Sequence, residues 1–150
     1  MANNILGRYS VIDEDAEIGK NVTIGSFVRI KSGTIIGDDC KIDDYVKFSG
    51  HCNIGKRSVI RYNATIARGV EIEEDVYISP NVMFINLKPD GTAQKRTLVK
   101  KGTFIGTAAV IGPDITIGEK AIIGAMAYVN KNVPDGATVV GIPARIISKK

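Results

Sequence analysis

Few side chains in this chain of 150 residues could take part in chemistry. His51 is the only histidine, a candidate general base wherever a proton must leave a nucleophile. Asn86 heads a stretch rich in turn formers and charge, and its carboxamide could donate to an oxyanion or accept from an amine. Lys88 and Asp90, close behind it, could contact a polar acceptor. Basic residues gather late in the chain and suit an anionic ligand. Lys131 and Arg145 are among them, and an arginine can make forked contacts. No metal is expected, because one histidine cannot supply a zinc triad and the cysteines are spoken for by packing.

What must position these groups is a repeat of six residues. Starting at Leu6, a large apolar residue recurs as Ile12, Ile18, Ile24, Ile30, Ile36, Ile42, Phe48, Ile54, Ile60, Ile66, Ile72, Ile78 and Phe84. It resumes as Ile105, Ile111, Ile117, Ile123 and Val129. Neither a helix nor a coiled coil repeats every six residues, but strand alternation permits it. Residues two apart then share a face, so the small residue two before each aliphatic also points inward. Cys40 and Cys52 occupy that small slot and read as buried packing. Gly or an acidic pair follows the aliphatic, which predicts a corner tolerant of positive φ. Three hexads per turn close a triangular coil, and stacked coils pair their backbones at about 4.8 Å. The expectation is one all-β domain, a parallel β-helix shaped as a three-sided prism.

The repeat breaks once. Phe84 and Ile105 are twenty-one residues apart, and residues 86–99 read as a loop thrown out of the prism, where binding or catalytic groups tend to lie. His51 lies thirty-six residues before Leu87, on the same side as the loop root but two coils away. Two coils is about 10 Å, too far for a direct bond to a group at Asn86. Past Val129 the repeat dissolves, and residues 134–150 are expected to cap an end that would otherwise expose strand edges.

Bulk properties exclude more than they assign. Net charge is +4 with the signs interleaved, and there is no Trp, so neither a dense basic stripe nor an aromatic platform for nucleic acid is present. No leader-like stretch opens the chain and no apolar run approaches membrane-spanning length, which gives a cytoplasmic expectation without membrane insertion.

The stretch from Ile105 to Ile147 resembles the CoA-dependent acyltransferases of the hexapeptide-repeat family. The match is carried by Ile105-Gly106-Thr107 to Ile117-Gly118, by Ile123-Gly124-Ala125 to Val133-Pro134, and by Val140-Gly141-Ile142-Pro143-Ala144-Arg145. Within that family, Phe84-Ile85-Asn86, Pro89 and Leu98-Val99-Lys100-Lys101-Gly102 look most like the sugar-nucleotide N-acetyltransferases of surface-polysaccharide synthesis. Those enzymes commonly have an acidic residue after the Asn, where this chain has Leu87. The resemblance implies a left-handed β-helix, acetyl-CoA as co-substrate, a nucleotide amino-sugar acceptor and a homotrimer with sites between subunits. It places Gly106, Thr107, Ala108 and Ala125 on the pantetheine arm and Lys131 and Arg145 near the nucleotide phosphates. An amine acceptor weakens the need for a base, leaving Asn86 to orient it and His51 in a lesser role. An O-acetyltransferase and a non-catalytic assembly module are the alternatives.

Overall fold

A computed structural model describes residues 3–150. Among them there is no helix, and strands of two or three residues, with two longer ones at the C-terminal end, form three sheets that are parallel except for the last strand. We call these faces A, B and C, with nine, seven and six strands, winding through about eight coils. Away from the insertion and the C-terminal end, each strand pairs with the one eighteen residues on, as Ile42 with Ile60 and Ile60 with Ile78. The repeat aliphatics fill the interior: Ile30, Phe48, Ile60, Ile66, Ile78 and Ile105 are all wholly buried. The expected prism is therefore present.

The corners work differently from the expectation. The Gly after the aliphatic does not supply positive φ; that conformation falls two residues later, at Asp39, Tyr45, Arg57, Asp75 and Met126 among others. The Gly is there for close approach. A Cβ on Gly55 would lie 2.4 Å from the Glu73 carbonyl carbon, inside the backbone of the next coil. Large residues in the left-handed region are uncommon and strained. Here hydrogen bonds from coil to coil hold them, as from the Tyr45 amide to Ser26.

Two predicted boundaries move. Thr97–Val99 is not loop but a fully buried strand of face C, with Ile72 pairing to Val99 twenty-seven residues on. Nine residues are therefore inserted, and the excursion is 86–96. Val99 takes the aliphatic slot and Thr97 the small one, so the pattern was intact but shifted in phase. At the far end, Ala137–Val140 continues face A by pairing with Ile122 and Ile123. The cap begins only after Val140, where Arg145–Lys149 returns antiparallel along that strand.

Cys40 and Cys52 are buried as expected, and each thiol donates to a carbonyl of the next coil, at Gly55 (3.2 Å) and Ala67 (3.3 Å). Burial pushes the Cys40 thiol up to about 11 and raises that of Cys52 as well. Thiolate is the reactive form. A maleimide at neutral pH is expected to label neither cysteine in the native protein and both in denaturant; rapid native labelling would contradict the packing.

The three edges differ in chemistry. Edge CA carries an alternating ladder in which Lys56 pairs with Glu74 and Lys101 with Glu119. Outward positions on face B, by contrast, turn apolar in the later coils at Met83, Val110 and Tyr128.

Candidate functional site

The excursion leaves edge BC after Phe84 and folds into a hairpin. Leu87 bridges Ala93, the Lys88 amide bonds Thr92, and the Gln94 amide bonds the Asn86 carbonyl at 2.6 Å. One carboxylate in the next coil braces both limbs. Asp114 Oδ2 pairs with Lys88 Nζ at 2.6 Å, and its Oδ1 accepts the Lys95 and Arg96 amides at 2.5 and 3.2 Å. Asp90 accepts from the amide and hydroxyl of Thr92, closing the tip. Lys88 and Asp90, predicted to contact an acceptor, are thus committed to shaping the hairpin.

The Lys88 hydrogen bond, with the Lys95 amide, holds the Asp114 carboxyl below the ordinary carboxylate range, and Lys88 is raised by the same contact. A depressed acid stabilises above its unfolded pKa and fails only as pH falls through the lower folded value. A raised base holds until pH climbs past its elevated value. The brace therefore spans the neutral range. Asp114→Ala is expected to speed hydrogen exchange at the Lys95 and Arg96 amides at pH 7 while the prism stays protected. Unchanged exchange there would show that the hairpin stands without the brace.

Beneath the hairpin lies a pocket of about 290 Å³ lined by His51, Arg68, Gly69, Asn86, Ala93 and Gln94. The two residues placed too far apart by sequence reasoning thus face one space. Gly69 separates them in the stack, and a Cβ there would meet nothing within 4 Å, so the floor is open. The His51 ring leans one coil down onto Gly33, where a Cβ would lie 2.5 Å from Nδ1. Gln94 is fully engaged, its Nε2 donating to the Arg68 carbonyl and its Oε1 accepting from Thr97. The side chains of His51, Arg68 and Asn86 bond no other described residue. Polar groups left uncommitted around a concavity are what a ligand needs. Arg68 was missed from sequence, although it stands one coil, eighteen residues, before Asn86 and so in phase with it.

The predicted pantetheine residues lie elsewhere, on edge AB. Gly106 and Ala108 spend their amides on Ile123 and Pro80 of neighbouring coils. Thr107 and Ala125, stacked eighteen residues apart, do not. At some comparable corners this amide is capped by a side chain from the next coil, as Lys20 by Asp38, Ser26 by Asp44 and Glu119 by Asp135, whereas at Asp44 and Tyr62 on the same edge it is bare, as it is here. Ala125 and Gly141, next in line above Thr107 and Ala125, have no side-chain acceptor. Two exposed donors therefore point along one edge. Gly106 permits their close stacking, since a Cβ on it would lie 2.6 Å from the Ala125 nitrogen. Lys131 and Arg145 come together in a cleft of about 270 Å³ at the C-terminal end, over Val129, Val133 and Val139.

Comparison with known proteins agrees with the hexapeptide-repeat fold. A family model described as bacterial transferase hexapeptide (six repeats) matches residues 1–32, 33–68 and 96–131. All but the last residue of the excursion falls in the unmatched interval. The bifunctional protein GlmU of Aquifex aeolicus is 33% identical over 135 residues, which make up 90% of this chain and 28% of that protein. GlmU of Synechococcus sp. (strain CC9311) is 30% identical over 132 residues, 85% of this chain and 27% of that one. The chain thus spans under a third of these relatives. Among solved structures, a mutant GDP-perosamine N-acetyltransferase from Caulobacter crescentus, in complex with CoA and GDP-perosamine, superposes with TM-score 0.72 at 19% identity, covering 99% of this chain and 58% of that one. A mutant of AntD, an N-acyltransferase from Bacillus cereus in complex with dTDP and coenzyme A, gives TM-score 0.68 at 23% identity, covering 99% and 84%. At such identities the likeness is one of fold.

Proposed function

The chain belongs to the bacterial transferase hexapeptide family, and from that premise we propose that it is an acetyl-CoA-dependent N-acetyltransferase acting on the amino group of a nucleotide-linked amino sugar. The observation that carries this reading is the pocket under the hairpin, where His51, Arg68 and Asn86 are left without protein partners. The free Thr107 and Ala125 amides add a second half-site, suited to the amide carbonyls of a pantetheine arm laid along edge AB. Lys131 and Arg145 would meet the anionic end of the same ligand.

The acceptor amine, arriving unprotonated, attacks the thioester carbonyl. The C–N bond forms, negative charge collects on the carbonyl oxygen, and the C–S bond then breaks. The amine proton leaves with the CoA thiolate or through His51. Asn86 Nδ2 would donate to the oxyanion, or its Oδ1 accept from the amine. Nothing else is asked of the protein beyond orientation and exclusion of water.

Both half-sites border face B, yet on opposite edges of it. Six residues at about 3.3 Å each put them up to about 20 Å apart within one chain. Reacting atoms must come within about 3.5 Å. A ring of copies, each turning face B inward, would set edge AB of one against edge BC of the next. The apolar Met83, Val110 and Tyr128 on that face favour such burial, and a homotrimer is the assembly we propose. The alternating charges of edge CA suit solvent.

The test is a screen of purified protein with acetyl-CoA and matched amino- and hydroxy-sugar nucleotides, read as the mass gain of one acetyl group. Acetylation confined to the amino series supports the reading; none in either series, with no binding of CoA by calorimetry, would leave a non-catalytic module. One observation favours the second reading, O-acetyl transfer: a hydroxyl needs a base, and His51 shares the Asn86 pocket. Turnover of the hydroxy series that His51→Gln abolishes would establish it.

A further inference from the structure

We propose that Arg68 is an anion-recognition residue, so that the acceptor is an amino sugar carrying an oxyanion, a phosphate ester or a ring carboxylate, within one sugar's breadth of the amine. This deepens the acyl-transfer reading above and rests on it for the amine.

Four of the other six arginines hold carboxylates, while Arg8 at the first coil and Arg145 in the cap do not. Arg29 pairs with Asp13, Arg57 with Asp75, Arg61 with Asp43, and Arg96 with Glu71. Arg68 pairs with none among the described residues, and no carboxylate lines its pocket. An arginine left unpaired beside two other uncommitted polar side chains offers a fork that matches phosphate or carboxylate geometry. Its position is prepared. The guanidinium lies one coil down over Gly50, where a Cβ would stand 3.0 Å from Nη1, so any side chain there would displace it.

Arg68 is also tied to the reacting end of the site. Its carbonyl accepts from Gln94 Nε2 at 2.8 Å, and the Gln94 amide in turn binds the Asn86 carbonyl at 2.6 Å. Two bonds through one residue thus tie the Arg68 backbone to that of Asn86. Size limits what lies between them. About 290 Å³ is at the small end for ligand sites, room for a sugar and one anionic substituent but not for a whole nucleotide sugar. The anion read by Arg68 must then sit on the sugar itself or be the phosphate joined to it, with any nucleoside outside this pocket.

The experiment compares wild type, Arg68→Gln and Arg68→Lys with acetyl-CoA and one amino sugar offered free, as its 1-phosphate, as its nucleoside diphosphate and as the aminouronate. Wild type is expected to favour an anionic form over the free sugar by about 10- to 100-fold in kcat/KM. Arg68→Gln should erase that preference through the KM of the anionic form and be partly rescued by Arg68→Lys. Whether the phosphates or the uronate carry the Arg68-dependent preference names the source of the anion. Equal use of free and anionic sugars by wild type, or a preference that survives Arg68→Gln, overturns the proposal. So does a loss of CoA affinity in Arg68→Gln, which would give the arginine to the donor. Calorimetric titration with the 1-phosphate and the aminouronate keeps this apart from transfer. If nothing is acetylated, yet wild type binds one of them and Arg68→Gln does not, the transfer reading fails and the anion site stands; if wild type binds neither, the anion site fails.

Discussion

Asn86→Ala is expected to lower kcat by about 10²- to 10³-fold, the usual cost of removing one donor to an oxyanion in a site closed to water. The protein should fold and melt as before, because the Asn86 side chain bonds no other described residue and the hairpin is held through its backbone carbonyl and the Asp114 brace. KM for acetyl-CoA should barely move, since the donor amides lie on edge AB. Asn86→Asp separates two modes of action. A carboxylate can still accept from the amine but repels an oxyanion, so loss equal to that of the alanine variant points to oxyanion stabilisation, and recovery points to orientation of the amine. Undiminished single-turnover rates in Asn86→Ala, where chemistry limits, would remove Asn86 from the mechanism altogether.

The double variant Thr107→Pro/Ala125→Pro should bind CoA about 5- to 100-fold more weakly, at some 0.5–1.5 kcal/mol for each amide bond lost. Proline deletes the N–H and little else here. The fold already accepts proline in this corner slot, at Pro80 on the same edge and at Pro113 on edge BC. Neither amide serves a coil-to-coil bond, so stability should hold, which a melting curve checks. Alanine substitution at 107 should have little effect, because the donor is backbone. Full CoA affinity in the double proline variant would show that the free amides are a vacancy in the capping pattern and nothing more.

How far these groups were legible from the amino acids follows from periodicity. The core needed no coordinates, since an aliphatic every sixth residue admits one closed arrangement with every backbone group paired. Cys40 and Cys52 followed as packing, whereas Thr107 and Ala125 were named from resemblance alone. The boundary at Thr97 was misjudged because nine inserted residues shift the phase, and a pattern sought in register skips Thr97-Leu98-Val99. The corner glycines were found but misexplained. Close approach between coils is a contact eighteen residues away, which local turn chemistry does not express.

The sequence by itself determined the prism, its inward residues, the single excursion and the late cluster of cations, because each is a property of phase or of composition along the chain. Only the tertiary structure decided that Lys88 and Asp90 serve the hairpin, that Arg68 joins His51 and Asn86 at one pocket, and that the two half-sites stand on opposite edges of one face. Those depend on where a loop without periodicity folds back and on which amides and cations find partners, and no repeat along the chain encodes either.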